Sequence, residues 1–211
     1  MAKELTNRQK GAIETRKKIL EAARRAILEK GFDRVSVSDI AKEAGVATGS
    51  FYTYFKRKED IIEELNKTDF SRLAEIVNQM KGKSIVEKLD NYCRVYMKAV
   101  ERSGLEICRQ WLRNHISASA ENGTLEATKY QYDYQAMQSV LNEAVKQGQL
   151  KEETPVDALA FLINSQLYGF MLVWCMTDGK VVGSEQTRNY CLLMLKKSIE
   201  PYLPAVPKAE K

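Results

Sequence analysis

All four prolines of the chain, Pro155, Pro201, Pro204 and Pro207, lie in its last third, and the first 154 residues contain none. Proline removes an amide donor and clashes with the preceding helical turn, so this long stretch carries no built-in helix breaker of that kind. Apolar residues recur there mostly three and four positions apart, with no sustained two-residue alternation, which predicts an all-α chain. With 211 residues and 44% apolar content, the chain can bury a real core.

The predicted helices follow from periodicity and from start and stop signals. The first spans about Ala12 to Lys30, with Ile13, Leu20, Ala23 and Ile27 inward and Gly31 as its stop. Ser36-Val37-Ser38-Asp39 is a capping signature for a second, short helix that meets Gly45. A third spans about Thr48 to Phe55, and a fourth about Lys58 to Met80. Ile85, Leu89, Cys93, Tyr96 and Val100 mark another helix, and a shorter one runs from Leu105 to about Ile116. Tyr130, Tyr134, Met137, Leu141 and Val145 define the next, ending near Gly148. Thr154 reads as an N-cap with Pro155 at the first helical position of a helix to about Thr177, and the last spans about Ser184 to Glu200.

Charge is unevenly distributed. Residues 1–58 hold 14 Lys/Arg against 7 Asp/Glu, a net of +7, whereas residues 59–211 hold 19 against 21, a net of −2. A local basic excess points to a polyanion partner. His115 is the only histidine, and Cys93, Cys108, Cys175 and Cys191 form no C-x-x-C pair. Together with the lack of a phosphate loop or nucleophile motif, this argues against an enzyme, a metal site or a cofactor. No signal-peptide pattern opens the chain, and a cytoplasmic location is expected. Ala158 to Met176 is 19 residues without a formal charge, near the length of a membrane span. Asn164, Ser165 and Gln166 interrupt it and no Lys/Arg cluster flanks it, so it reads as a buried or subunit-interface helix, with no membrane partner.

The most informative segment is Ser36 to Lys58. Ala41 is small enough for a close helix crossing, Gly45 suits a left-handed turn four residues later, and Val46 and Phe51 plug the shared core. With Phe51 inward, Gly49 and Thr53 point outward and Ser50, Tyr52 and Lys56 flank them. Thr48, Gly49, Ser50, Tyr52 and Thr53 are therefore candidates to contact bases or groove in double-stranded DNA, and Ser36, Tyr54 and Lys58 to contact phosphates. Lys17, Lys18, Arg24 and Arg25 are either a solvated face or further phosphate contacts. Arg8, Lys10 and Arg16 fit an arm over the duplex or ordinary surface charge.

The run from Phe32 to Asp60, above all Gly49-x-Phe51-Tyr52-x-Tyr54-Phe55-x-x-Lys58, resembles the DNA-binding signature of the TetR family of bacterial transcription regulators. Phe51 stands where the family usually has Leu. The resemblance covers roughly residues 12–62. It implies nine or more helices, a homodimer on a palindromic operator, and a C-terminal domain whose small-molecule ligand weakens DNA binding.

The expected organisation is an N-terminal arm and helix-turn-helix domain at 1–58 and a connecting helix at 59–80. A ligand-binding and dimerisation domain at 81–203 and a flexible tail at 204–211 complete it. Tyr96, Trp111, His115, Tyr130, Tyr134, Asn164 and Tyr168 combine an apolar stripe with a polar tip, and suit a pocket for a small aromatic or amphipathic ligand. Core packing alone explains such a stripe equally well. Cys108, beside Arg109, is the best placed of the cysteines for a thiol sensor. Leu159, Ile163, Val173, Leu192 and Leu195 are candidate dimer contacts on the two last long helices. A DNA-binding regulator or architectural protein without an effector is the alternative reading, and a helical enzyme a remote one.

Overall fold

The computed structural model describes residues 6–70, 79–118, 129–180 and 185–205. Among these residues the regular structure is helical, with no strand. The helices are α1 (Asn7–Lys30), α2 (Val37–Ala44), α3 (Thr48–Tyr54), α4 (Glu59–Phe70), α5 (Ile85–Ser103), α6 (Leu105–Ala118), α7 (Lys129–Lys146), α8 (Val156–Met176) and α9 (Glu185–Ile199). Single 3-10 turns span Phe32–Arg34 and Glu200–Tyr202. The predicted continuation of the fourth helix over 71–78 lies outside the described residues, as do Ser184 and the end of the tail.

The chain forms two compact units. One comprises Met1–Asp69 with Ser103–Glu121, the other Phe70–Arg102 with Asn122–Lys211. This division differs from the expected one, because the segment carrying α6 leaves the larger domain and joins the N-terminal helices. Contiguity in sequence suggested otherwise, but α6 packs against α1.

In the first unit, α1 begins earlier than expected. Thr6 caps it, accepting from the Gln9 amide while the Gln9 side chain accepts from the Thr6 amide. Arg8 and Lys10 are therefore helical rather than an arm. The buried stripe is Ile19, Ala22, Ala23, Ala26 and Ile27, while Ile13 is 56% exposed and Leu20 half-buried. The small alanines let neighbouring helices approach closely, and α2 and α6 both pack on α1. Arg16 bridges α1 to α4, pairing with Glu64 at 2.7 Å and lying over the Phe55 ring. Arg25 pairs with Glu43 of α2 at 2.9 Å. Gly104, at φ +84°, links α5 to α6, and a Cβ there would sit 2.7 Å from Leu28 Cδ2.

In the second unit, α7 and α8 pack along each other, and α9 packs on α8. The N-cap of α8 is Pro155 rather than Thr154, whose hydroxyl donates instead to the Lys151 carbonyl. The turn after α9 is tied back by Lys151, whose amide donates to the Tyr202 carbonyl and whose ammonium donates to the Pro201 carbonyl, both at 2.9 Å. By length and composition α8 matches a membrane span, but nine of its residues are buried within the protein.

Four of the five candidate dimer contacts need correcting. Leu159, Ile163, Leu192 and Leu195 are all buried within the chain and offer no surface to a second copy. Val173 is 41% exposed and belongs to an outward apolar face with Phe161, Leu162, Leu172 and Met176 of α8 and Tyr190, Leu193 and Met194 of α9. A helix apolar on all sides does not reveal which side its own chain covers.

Candidate nucleic-acid interface and aromatic cluster

The reading head is built from short helices that need tertiary support. Seven residues are too few for α3 to be helical alone, so its stability comes from packing. Phe51 is fully buried, with its ring 5.5 Å from Phe55 and edge-on to Tyr52. Truncating such a core phenylalanine to alanine costs about 3–5 kcal/mol, more than a helix this short supplies by propensity.

Local signals set the angle between α2 and α3. Ser36 and Asp39 form a reciprocal capping box at the start of α2. The Ser36 hydrogen bonds hold the Asp39 carboxyl below its ordinary range. Gly45 adopts the left-handed conformation (φ +69°, ψ +35°), and the Val46 amide donates to the Ala41 carbonyl at 3.0 Å. Ala41 is buried at the crossing, as predicted from its size.

On α3, Thr48, Gly49, Tyr52 and Thr53 are exposed, while Ser50 and Tyr54 are half-buried. Tyr52 is 56% exposed, a large aromatic directed outward from a helix whose other aromatics turn in. Gly49 is informative for a different reason. Its φ is not positive, and an added Cβ would meet no atom within 4 Å, so nothing in the fold demands glycine there. No side chain caps the N-terminus of α3.

Two of the expected phosphate contacts are engaged within the protein. The Ser36 hydroxyl accepts from the Asp39 amide at 3.1 Å and donates to the Asp39 carboxylate, whose negative charge sits at the same helix end. Lys58 Nζ donates to the carbonyls of Phe32 at 2.8 Å and Val35 at 3.0 Å, and lies 4.1 Å from the Phe32 ring centroid. Two of its three N–H donors thus pin the turn between α1 and α2. The basic composition around Lys58 suggested only an outward role, because the acceptors are backbone atoms more than twenty residues away. Lys58→Ala is expected to lower unfolding free energy by about 1–3 kcal/mol through these charge-assisted bonds and the ring contact. An unchanged urea midpoint would refute the clamp.

The candidate ligand residues divide between the two units. Trp111 and His115 belong to α6 and the first unit. Their rings lie 4.1 Å apart, tilted by 32°, and His115 Nδ1 lies 2.9 Å from the Trp111 carbonyl, which requires Nδ1 to donate. Nε2 faces Glu63 of α4 at 3.6 Å. Burial pushes the Glu63 carboxyl up, and His115 opposes that shift.

Tyr96, Tyr130, Tyr134, Asn164 and Tyr168 lie in the second unit. Tyr168 is the hub, with Tyr130 at 5.6 Å and Tyr96 at 6.4 Å between ring centroids, while Tyr130 stacks on Tyr134 at 6.2 Å. The Tyr168 hydroxyl donates to Asp133 at 2.8 Å. Asp133 is buried and was missed from the sequence, although its position three residues after Tyr130 places it on that face. Asn164, only 1% exposed, and the Tyr130 hydroxyl each bring a buried polar atom without a hydrogen-bond partner among the described residues. Burial pushes the thiols of Cys93 and Cys191 up, and Cys108 is fully buried, so none has the character of an exposed thiolate sensor.

A left-handed glycine between two short helices, with the second presenting an exposed small and polar face, defines a helix-turn-helix DNA-binding protein. Residues 19–65 match the family model for bacterial regulatory proteins of the tetR family. The fatty acid metabolism regulator protein of Bacillus subtilis (strain 168) is 29% identical over 165 residues, 77% of this chain and 84% of that one. The HTH-type transcriptional regulator AcrR of Shigella flexneri is 23% identical over 88% of this chain and 89% of its own. A solved TetR-family transcriptional regulator from Syntrophomonas wolfei shares the fold with a TM-score of 0.71, at 22% identity over 89% of this chain and 96% of that one. Residues 19–65 thus carry a tetR-family helix-turn-helix, and the chain is a DNA-binding transcription regulator similar to these proteins over most of its length.

Proposed function

We propose that the protein is a cytoplasmic, homodimeric repressor with no enzymatic activity, which binds a palindromic operator and leaves it when a small molecule occupies the second unit. The observation that carries the DNA-reading part is the outward face of α3, where Tyr52 is exposed and Gly49 is glycine without a need in the fold. A side chain at Gly49 has room in the free protein, so the reason for its absence lies in what approaches from outside. Thr48, Ser50 and Thr53 complete the base- or groove-contacting set, Tyr54 directs its hydroxyl to a phosphate, and Lys58 retains one N–H for another.

Gly49→Ala supplies a sharp contrast. Alanine is expected to leave stability unchanged or raise it by up to about 0.5–1 kcal/mol, yet to weaken operator binding by crowding the groove. Equal operator affinity in the variant and the parent would remove Gly49 from the interface.

The second copy is expected on the apolar face of α8 and α9, through Phe161, Leu172, Val173, Met176 and Leu193. Two-fold pairing would present two α3 helices to successive major grooves about 34 Å apart.

The effector site is read from the tyrosine cluster, where Asn164 and Tyr130 hold polar atoms that an entering ligand can satisfy. Aromatic rings with a few polar tips suit an aromatic or amphipathic molecule, and one relative is named for fatty acid metabolism. Ligand binding acts on DNA only through different affinity for two conformations. Genome-wide binding-site mapping of the purified protein, followed by gel shift with a thermal-shift ligand screen, tests both halves. Enrichment of a palindrome and release by a stabilising compound are the expected results. A protein that binds its palindrome but is never released would favour a regulator without an effector.

A further inference from the structure

We propose that Glu106 is a positioning residue for operator recognition, acting through the backbone of Phe32; this rests on the DNA-binding reading above. The turn Phe32–Arg34 carries the chain from α1 to α2, and Ser36, the cap of α2, lies two residues beyond it. The Phe32 peptide is held from both sides by opposite charges. Its amide, just past the end of α1, donates to Glu106 Oε1 of α6 at 3.0 Å. Its carbonyl accepts from Lys58 Nζ at 2.8 Å, besides the Val35 amide at 3.3 Å. The ring of Phe32 is buried beneath the same ammonium.

Three features make Glu106 suited to the task. It lies in the first turn of α6, where a negative charge interacts favourably with the helix dipole. The amide it accepts belongs to a buried residue, so removal of the carboxylate takes a charged partner from a part-buried donor. Gly31, at φ +84°, provides the adjoining bend, and a Cβ there would stand 3.6 Å from Glu106 Oε1. Gly104 then holds the start of α6 tightly against Leu28 of α1. The exposed Arg113–Asp33 pair at 3.5 Å adds little to this grip. The carboxylate of α6 and the ammonium before α4 thus set where α2 begins, and with it the seat of α3.

The test compares wild type, Glu106→Ala and Glu106→Gln on the operator fragment recovered from binding-site mapping and on unrelated DNA, at two salt concentrations. Hydrogen exchange at the Phe32 amide is followed in the same samples. Glu106→Ala is expected to bind the operator about tenfold more weakly, equivalent to ~1.4 kcal/mol. Its affinity for unrelated DNA and its salt slope should not change, because no phosphate contact is lost. Glu106→Gln keeps a neutral acceptor and is expected to recover most of the affinity. If Glu106→Ala does not fold, Glu106→Gln still decides the matter by a smaller loss that parallels faster Phe32 exchange. Faster Phe32 exchange with unchanged operator affinity in the folded variants overturns the proposal. Wild-type protein that selects no genomic fragment overturns the DNA-binding reading instead.

Discussion

Tyr52→Ala is expected to abolish specific operator binding while leaving the dimer and its helicity intact. A direct base contact is worth about 1–3 kcal/mol, and a two-fold dimer loses two of them, so operator affinity should fall by roughly 30-fold to 10⁴-fold. The folded state should hardly notice. Tyr52 is 56% exposed, and its ring approaches Phe51 edge-on at 5.4 Å. Surface changes of this kind usually lie within about 0.5 kcal/mol. Salt dependence provides the control. Tyrosine neutralises no phosphate, so the slope of log affinity against log salt should match the parent's. A Tyr52→Ala protein that still shifts operator DNA at wild-type concentration would remove the outward face of α3 from recognition.

The second large effect is expected from Leu172→Glu. Leu172 is 41% exposed in the single chain, so the carboxylate remains hydrated in a monomer and stability should change little. In a dimer that closes over this face, two unpaired charges would be buried, each costing several kcal/mol. Dimer dissociation should strengthen by at least about 100-fold in favour of monomer. Sedimentation would then report a single chain, and operator affinity would fall with it, because one α3 contacts only half a palindrome. A dimeric Leu172→Glu protein would place the subunit interface elsewhere. The original candidate Leu159 makes a poor test, because its buried side chain belongs to the fold and its loss would unfold the monomer.

These two positions show how differently the two halves of the protein could be read. Ser36, Asp39, Ala41, Gly45 and Phe51 act over short distances in the chain. A capping box, a left-handed glycine and an inward phenylalanine are local commitments, and each appears in the structure as its residue type requires. The orientation of α3 followed from one choice, Phe51 inward, because 100° per residue then places Gly49 and Thr53 on the opposite side. The start of α1 lies before its apolar stripe because a Thr6–Gln9 capping box sets it, a weaker signal in the sequence than that stripe. Ile13 fits that stripe yet is exposed, because α1 at that point extends beyond the residues that cover it.

The chain's sequence by itself determined the helical class, the helix-turn-helix, its outward face and the concentration of positive charge beside it. All rest on residue type and on spacing along the chain. Only the tertiary structure decided that α6 joins the N-terminal unit and that Lys58 and Glu106 clamp Phe32. It also decided that Leu159, Ile163, Leu192 and Leu195 face inward, leaving Leu172 and its neighbours exposed. The physical reason is the range of the interactions. The Phe32–Glu106 bond spans 74 residues of chain, and its acceptor side chain looks like any surface glutamate until the fold brings a buried amide to it. An apolar helix likewise records how much surface must be covered, but the packing of α7 and α9 decides which part remains open.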